Sequence, residues 1–229
     1  MGSDELFKRR NAQRKQRKCE ERTPRANSYL IVTEGARTEP LYLTGIKNLI
    51  EQNIGGTINV TSVDSPTIDI CGQGASTSRL IDIAEKIVKE SKIIYQNIWV
   101  VFDKDDFDDF DQAIKEGEAK GYNIAWSNQS FEYWIFLHFN YSDSALHRDV
   151  WVDKLSAIFK TYNIKNGKYE KNYGDLYEIC DTYGSVKTAI ANAKRRMKGF
   201  RIGVDKPSQY DPGTTIHMLV SELLTYLKG

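Results

Sequence analysis

Six aspartates fall within nine positions of this chain: Asp103, Asp105, Asp106, Asp108, Asp109 and Asp111. They follow directly on five apolar residues, Ile98 to Phe102. Carboxylates at this density repel one another unless a cation or a basic partner neutralises them. The apolar run reads as a strand buried on both faces, as in a parallel sheet. Open α/β sheets place their sites just past the carboxyl ends of such strands. The chemistry that this predicts is a divalent-metal site. Acids also suit a helix N-terminus, which accounts for Asp108, Asp109 and Asp111 at the start of the next helix. It accounts less well for Asp103 and Asp105, which abut the buried strand.

A second acid stands in a comparable place. Tyr29 to Thr33 reads as a first buried strand, and it delivers Glu34-Gly35. If the strands ending at Thr33 and Phe102 lie parallel in one sheet, Glu34, Asp103 and Asp105 meet at the same edge. Hard oxygen ligands suit Mg²⁺ or Mn²⁺ rather than zinc. Such an ion polarises a phosphodiester and activates water. Gly35 permits a tight turn and close approach of a ligand to the backbone. Arg37 and Lys104 flank the acids and can neutralise phosphate or balance the carboxylates.

The elements that must position these groups alternate. Pro40 suits the first turn of a helix, with Thr38 or Glu39 near its cap and Leu41, Ile46, Leu49 and Ile50 as its buried stripe. Thr57 to Val63 alternates β-branched residues and predicts a second strand. Asp64 to Thr77, with Pro66, Gly72 and Gly74, is expected to be a loop. Leu80, Ile83, Ala84, Ile87 and Val88 share one helical face, capped by Ser76 or Thr77. The central strand and a helix from about Phe110 to Lys120 follow, then a fourth strand, Asn123 to Trp126. Ser127 to Ser130 then caps an apolar helix, Phe131 to Phe139, that carries one acid, Glu132. Helices at 149–162, 175–182, 186–198 and about Thr214 to Leu227 complete the chain. This order predicts an α/β fold: a mostly parallel four-stranded sheet flanked by helices, with a helical C-terminal part. The expected division is a basic arm at 1–27, an α/β domain at 28–140 and a helical extension at 141–229 packed on it.

Composition narrows the class. The chain has 229 residues, 28% of them charged and 40% hydrophobic, with a formal net charge of +1. No apolar run approaches the ~20 residues of a membrane helix, so no membrane partner is expected. Cys19, Cys71 and Cys180 are scattered and odd in number, which argues against a disulfide framework or a zinc site and suits a reducing cytoplasm. Basic residues concentrate between Lys8 and Arg25, where only Glu20 and Glu21 oppose them. Such an arm can lie along a phosphate backbone or simply be solvated.

Four blocks then carry a resemblance. They are Ile31-Val32-Thr33-Glu34-Gly35-Ala36-Arg37-Thr38-Glu39-Pro40; Val101-Phe102-Asp103-Lys104-Asp105-Asp106; Ser127-Asn128-Gln129-Ser130-Phe131-Glu132-Tyr133-Trp134 through His138-Phe139; and Asp211-Pro212-Gly213-Thr214-Thr215-Ile216-His217. Glu-Gly after a first strand and Asp-x-Asp after a later one resemble the Toprim domain of topoisomerases, primases and OLD-type nucleases. The four blocks in this order resemble the RloB-like family, bacterial proteins associated with restriction and abortive-infection loci. Two positions depart from that family's pattern, which has proline where Gln129 stands and asparagine where Asp211 stands.

The resemblance implies a Toprim-like fold and a Mg²⁺- or Mn²⁺-dependent nuclease site for DNA or RNA, tRNA included. Glu34 would be a ligand or general base, Asp103 and Asp105 ligands, and Glu132 a further catalytic acid. Arg37, Lys104, Asn128, Lys194 and Arg195 are the candidate nucleic-acid contacts. A partner ATPase or restriction-system subunit is a candidate partner. Plainer readings stand beside these. Glu132 can be a helix-start acid, and His138 a satisfied core histidine. Thr214, Thr215 and His217 can cap their helix rather than bind phosphate. Trp126 and Tyr133 can be core rather than base-stacking aromatics, and Lys194 to Lys198 a solvated helix face. Rival functions on the same acids are nucleotidyl or phosphoryl transfer, or a non-catalytic binding or partner subunit.

Overall fold

The computed structural model describes residues 23–24, 27–55, 66–104 and 108–227. Strands β1 (Thr23–Pro24) and β4 (Ile93–Ile94) pair parallel as a small separate ladder. The main sheet has five strands in the order β3-β2-β5-β6-β7. They are β2 (Ser28–Thr33), β3 (Thr67–Gly72), β5 (Asn97–Asp103), β6 (Asn123–Asn128) and β7 (Gly213–Thr214). All neighbours run parallel except β7, which lies antiparallel on β6. No helix among the described residues is long and apolar enough to cross a membrane.

Among the described residues the sheet therefore has one strand more than the four expected, and one of its strands falls where a loop was expected. Thr57 to Val63 lies outside the described residues, and the strand beside β2 is Thr67–Gly72, in a stretch expected to be a loop. Its punctuation misleads for a physical reason. β3 is an edge strand, mostly half-exposed. Pro66 precedes it and Gly72 ends it, residues that signal a loop but are tolerated at the start and end of an edge strand. β7 is too short to leave a pattern.

The alternation of the central strands divides the core. Tyr29 and Ile31 of β2, Trp99 and Val101 of β5 and Ala125 of β6 face one side. There they meet α1 (Thr38–Gly55), α4 (Phe131–Phe136), α5 (Arg148–Thr161), α6 (Leu176–Tyr183), α7 (Val186–Met197) and α8 (Ile216–Leu223). Leu30, Val32, Val100, Phe102 and Trp126 face the other, against α2 (Thr77–Glu90) and α3 (Phe110–Ala119). Side chains of a strand point alternately to opposite faces, so a strand covered on both sides is apolar throughout.

Helix α1 buries Tyr42, Leu43, Ile46 and Ile50, whereas Leu49, expected inside, is exposed. Tyr42 meets Phe131, Trp134, His138 and Tyr177 edge to face, and that aromatic seat sets the rotation of the helix. A Cβ on Gly45 would lie 2.5 Å from Tyr177 Cβ, so this glycine lets α1 and α6 approach. The apolar helix expected to run to Phe139 is α-helical only to Phe136.

Candidate functional site

The parallel register brings the two predicted strand ends together. Thr33 is level with Val101, and Asp103 with Ser127. Past β2 the Glu34 N–H donates to Val101 O at 2.8 Å, and Glu34 O accepts from Gly74 N–H at 2.8 Å. The Glu34 backbone is thus held from both flanks. Its side chain turns toward β5: Oε2 accepts from the Asp103 N–H at 3.1 Å, and Oε1 from Thr77 Oγ1 at 3.4 Å. Asp103 Oδ2 in turn accepts from the Phe131 N–H at 3.0 Å, at the first residue of α4. A carboxylate suits that otherwise unpaired donor.

These groups line a cavity of about 390 Å³ whose walls include Glu34, Arg37, Glu39, Asp103, Glu132 and Lys171. Glu39 and Lys171 are additions that sequence reasoning missed as site residues. Glu39, read as a helix cap, is 6% exposed. Its carboxylate lies against Gly35, where a Cβ would come 2.0 Å from Oε2. The space at Gly35 is filled by the chain's own acid. Glu132, 1% exposed, is reached at Oε1 by Lys171 Nζ at 3.1 Å and by the Tyr169 hydroxyl at 3.3 Å. Thr38 Oγ1 donates to Lys171 O at 3.1 Å, tying that segment across the mouth of the site. Glu39 could have been found, because it lies in the first turn of the helix that follows Glu34-Gly35. Tyr169 and Lys171 lie between helices with no periodicity to mark them.

Like charges crowd the cavity. Burial, then the Glu39 and Glu132 carboxylates, and last that of Glu34, push the Asp103 carboxyl well above the usual carboxylate range, against the pull of the Phe131 N–H. Burial also raises Glu39; its own N–H and that of Gly35 oppose this, as does Lys171, while Glu132 adds to it. A hard cation would relieve this repulsion, and four carboxylates are the donors it prefers. Among the described residues, however, no three His, Cys, Asp or Glu side chains are set to hold a metal ion as they stand. Asp105, predicted as a ligand, and Asp106 lie outside the described residues.

The remaining candidates scatter. Arg37 is exposed at the cavity wall. Lys104 is half-buried, and its N–H extends the ladder to Ser127 O at 2.8 Å. Asn128 is buried away from the cavity wall, and its Nδ2 donates to Ser208 O at 3.0 Å. Lys194 and Arg195 are exposed on α7, where Arg195 sits 4.0 Å from the centre of the Tyr141 ring. Asp109 meets the Ser78 N–H at the start of α2, and Asp111 accepts from the N–H and hydroxyl of Ser208. Both acids therefore join neighbouring elements rather than the first turn of their own helix. Trp126 and Tyr133 are core residues. His138 is fully built into the core, Nε2 on the Tyr42 hydroxyl at 2.9 Å, and burial pushes it down to about 4. Thr214 and Thr215 spend their hydroxyls on Trp126 O and on the Trp126 N–H.

Fold and cavity define a mixed α/β protein with a carboxylate-lined site at the C-terminal edge of a mostly parallel sheet. The model of one family, described as RloB-like protein, matches residues 29–223, and the chain belongs to that family. No curated protein and no solved structure matches it.

Proposed function

We propose that this chain is a divalent-metal-dependent phosphodiesterase acting on nucleic acid, on a Toprim-like sheet, in a restriction-linked or antiphage setting. The observation that carries the reading is the placing of Asp103: a half-buried carboxylate at the end of β5 that shares one cavity with Glu34, Glu39 and Glu132. Such crowding has a large cost unless the site is made for a cation. Glu34, Glu39 and Asp103 would hold it, with Asp105 as a further donor. A bound Mg²⁺ or Mn²⁺ would supply Lewis acidity toward a phosphodiester oxygen and a more acidic water. The chain's own groups set the rest. The Phe131 N–H orients Asp103, the Asp103 N–H orients Glu34, and Arg37 offers a cation to the incoming phosphate. The setting follows from the family resemblance.

The test incubates the full chain with labelled DNA and RNA, single- and double-stranded, in Mg²⁺, Mn²⁺ or EDTA. Cleavage is expected only with metal, and Glu34→Gln and Asp103→Asn are expected to lower it by at least ~10²-fold while circular dichroism stays unchanged. Full activity in Asp103→Asn would refute the assignment and leave a non-catalytic role for the fold.

A further inference from the structure

A second cavity, of about 670 Å³, opens on the side of the sheet that Trp126 faces and shares no residue with the carboxylate site. Its walls are α3, the segment 202–207 and the start of α8. Ile202, Val204 and Met218 all line it, and they are the three most exposed large apolar side chains among the described residues. The wall that carries Ile202 and Val204 is held in place. Arg201 is ion-paired with Asp205, and the Tyr210 hydroxyl donates to Asp205 O at 2.7 Å while its ring stacks on Phe200. Apolar surface fixed in contact with water marks a place that something else covers. The volume is within the ~300–1,000 Å³ usual for a small-molecule site.

The polar groups of the lining say what that is. His217 is 8% exposed, and its Nδ1 lies 3.1 Å from Thr214 O. A carbonyl oxygen only accepts, so Nδ1 carries a proton. Burial, assisted by Lys194, lowers the pKa of the ring against the pull of Thr214, which favours the neutral form with a bare lone pair on Nε2. That nitrogen has no hydrogen-bond partner among the described residues. Two of the acids at the cavity are spent: Asp111 on Ser208, and Asp205 on Arg201. Lys115 and Lys206 are exposed at its rim and form no ion pair among the described residues, against one remaining acid, Glu118.

We propose that this cavity binds a nucleotide, its base against the apolar walls with an N–H on His217 Nε2, and its phosphate at Lys115 and Lys206. A base has flat apolar faces and N–H donors on its edge, and proteins read it by packing on the first and bonding to the second. Phosphate suits paired lysines that lack a carboxylate of their own. The proposal does not depend on the metal-dependent reading. A free nucleotide and an unstacked base of a strand share this chemistry.

Calorimetric titration of the full-length protein in EDTA tests this apart from any metal chemistry. The probes are AMP, GMP, CMP and UMP, their nucleosides, ribose 5-phosphate and a single-stranded hexanucleotide. A nucleotide or the hexanucleotide is expected to bind, and ribose 5-phosphate is not. His217→Asn keeps a donor for Thr214 O but drops Nε2, and should weaken binding by about tenfold. Lys115→Met with Lys206→Met changes only exposed side chains, and should bring a nucleotide down to the affinity of its nucleoside. The probe that loses affinity in His217→Asn identifies the source, free nucleotide or strand. Failure of every probe to bind, ribose 5-phosphate binding as tightly as a nucleotide, or unchanged binding in both variants would overturn the proposal. So would self-association that depends on Ile202 and Val204 with no nucleotide bound, which would give the cavity to a second copy of the chain.

Discussion

Two buried polar regions meet β6, and they solve opposite problems. At one, where β6 passes the chain's late segment, hydrogen bonds join side chains to one another and to backbone, although Asn128 Oδ1 and Asp211 Oδ1 have no partner among the described residues. Ser127 Oγ lies 2.9 Å from Thr214 Oγ1, Asn128 Nδ2 donates to Ser208 O, and Gln129 Nε2 donates to Asp211 Oδ2 at 3.3 Å. Arg196 closes the region by donating to Pro212 O at 2.9 Å and Asp211 O at 3.1 Å. A few residues on, Glu132 enters a cavity shared with Glu34, Glu39 and Asp103, where Lys171 offsets only part of the negative charge. Paired polar groups specify structure, whereas uncompensated like charges are retained where a ligand is to satisfy them. The two positions that depart from the family pattern, Gln129 and Asp211, lie in the first region and bond to each other, so the departures leave the carboxylates untouched.

The contrast is open to experiment. Arg196→Met breaks the matched region, leaving two backbone carbonyls without their donor, and should cost about 1–3 kcal/mol in denaturant unfolding. Manganese affinity should hold, and a parallel loss of it would mean that the regions are not separate. Asp103→Asn should do the reverse and stabilise the metal-free protein. For a chain of this size each kcal/mol of repulsion relieved is worth about 2–4 °C of Tm.

The same repulsion sets a pH dependence. Asp103 and Glu39 bind protons more tightly folded than unfolded, so the native state takes up more protons between the two values. Stability then falls as pH rises through that window and is regained as pH is lowered through the folded values. Thermal melts of metal-free protein should climb on acidification from neutral pH, and more weakly in Asp103→Asn. An equal climb in both would assign the effect elsewhere. The smallest effect is expected for Gly35→Ala. Its methyl group meets only the mobile end of the Glu39 side chain, so Tm should barely move while Mn²⁺ binding weakens. Unchanged binding would exclude Glu39 from the ion's surroundings.

What the amino-acid order disclosed, and what it hid, follows from the same physics. The strand-to-acid inversion at Phe102–Asp103 and the matching end at Thr33–Glu34 are local signals, and the parallel register sets them side by side as expected. His138 and His217 occupy the plainer roles, each bonded to core or backbone groups. Glu39 was concealed because a first-turn acid is commonplace on a helix. Lys171 was concealed because the chain between it and Glu132 includes α5, so only tertiary packing pairs the two. β3 was concealed because an edge strand needs less apolar character than a buried one.

The late strand β7 gives the molecule a built-in check on its own completeness. Gly213 and Thr214 pair with Asn128 and Ser127, the residues from which the chain passes to Glu132. The acids of the cavity therefore precede in the chain the strand that supports one of them. A copy that stops short, or is clipped ahead of residue 213, carries the acids without the brace that seats them.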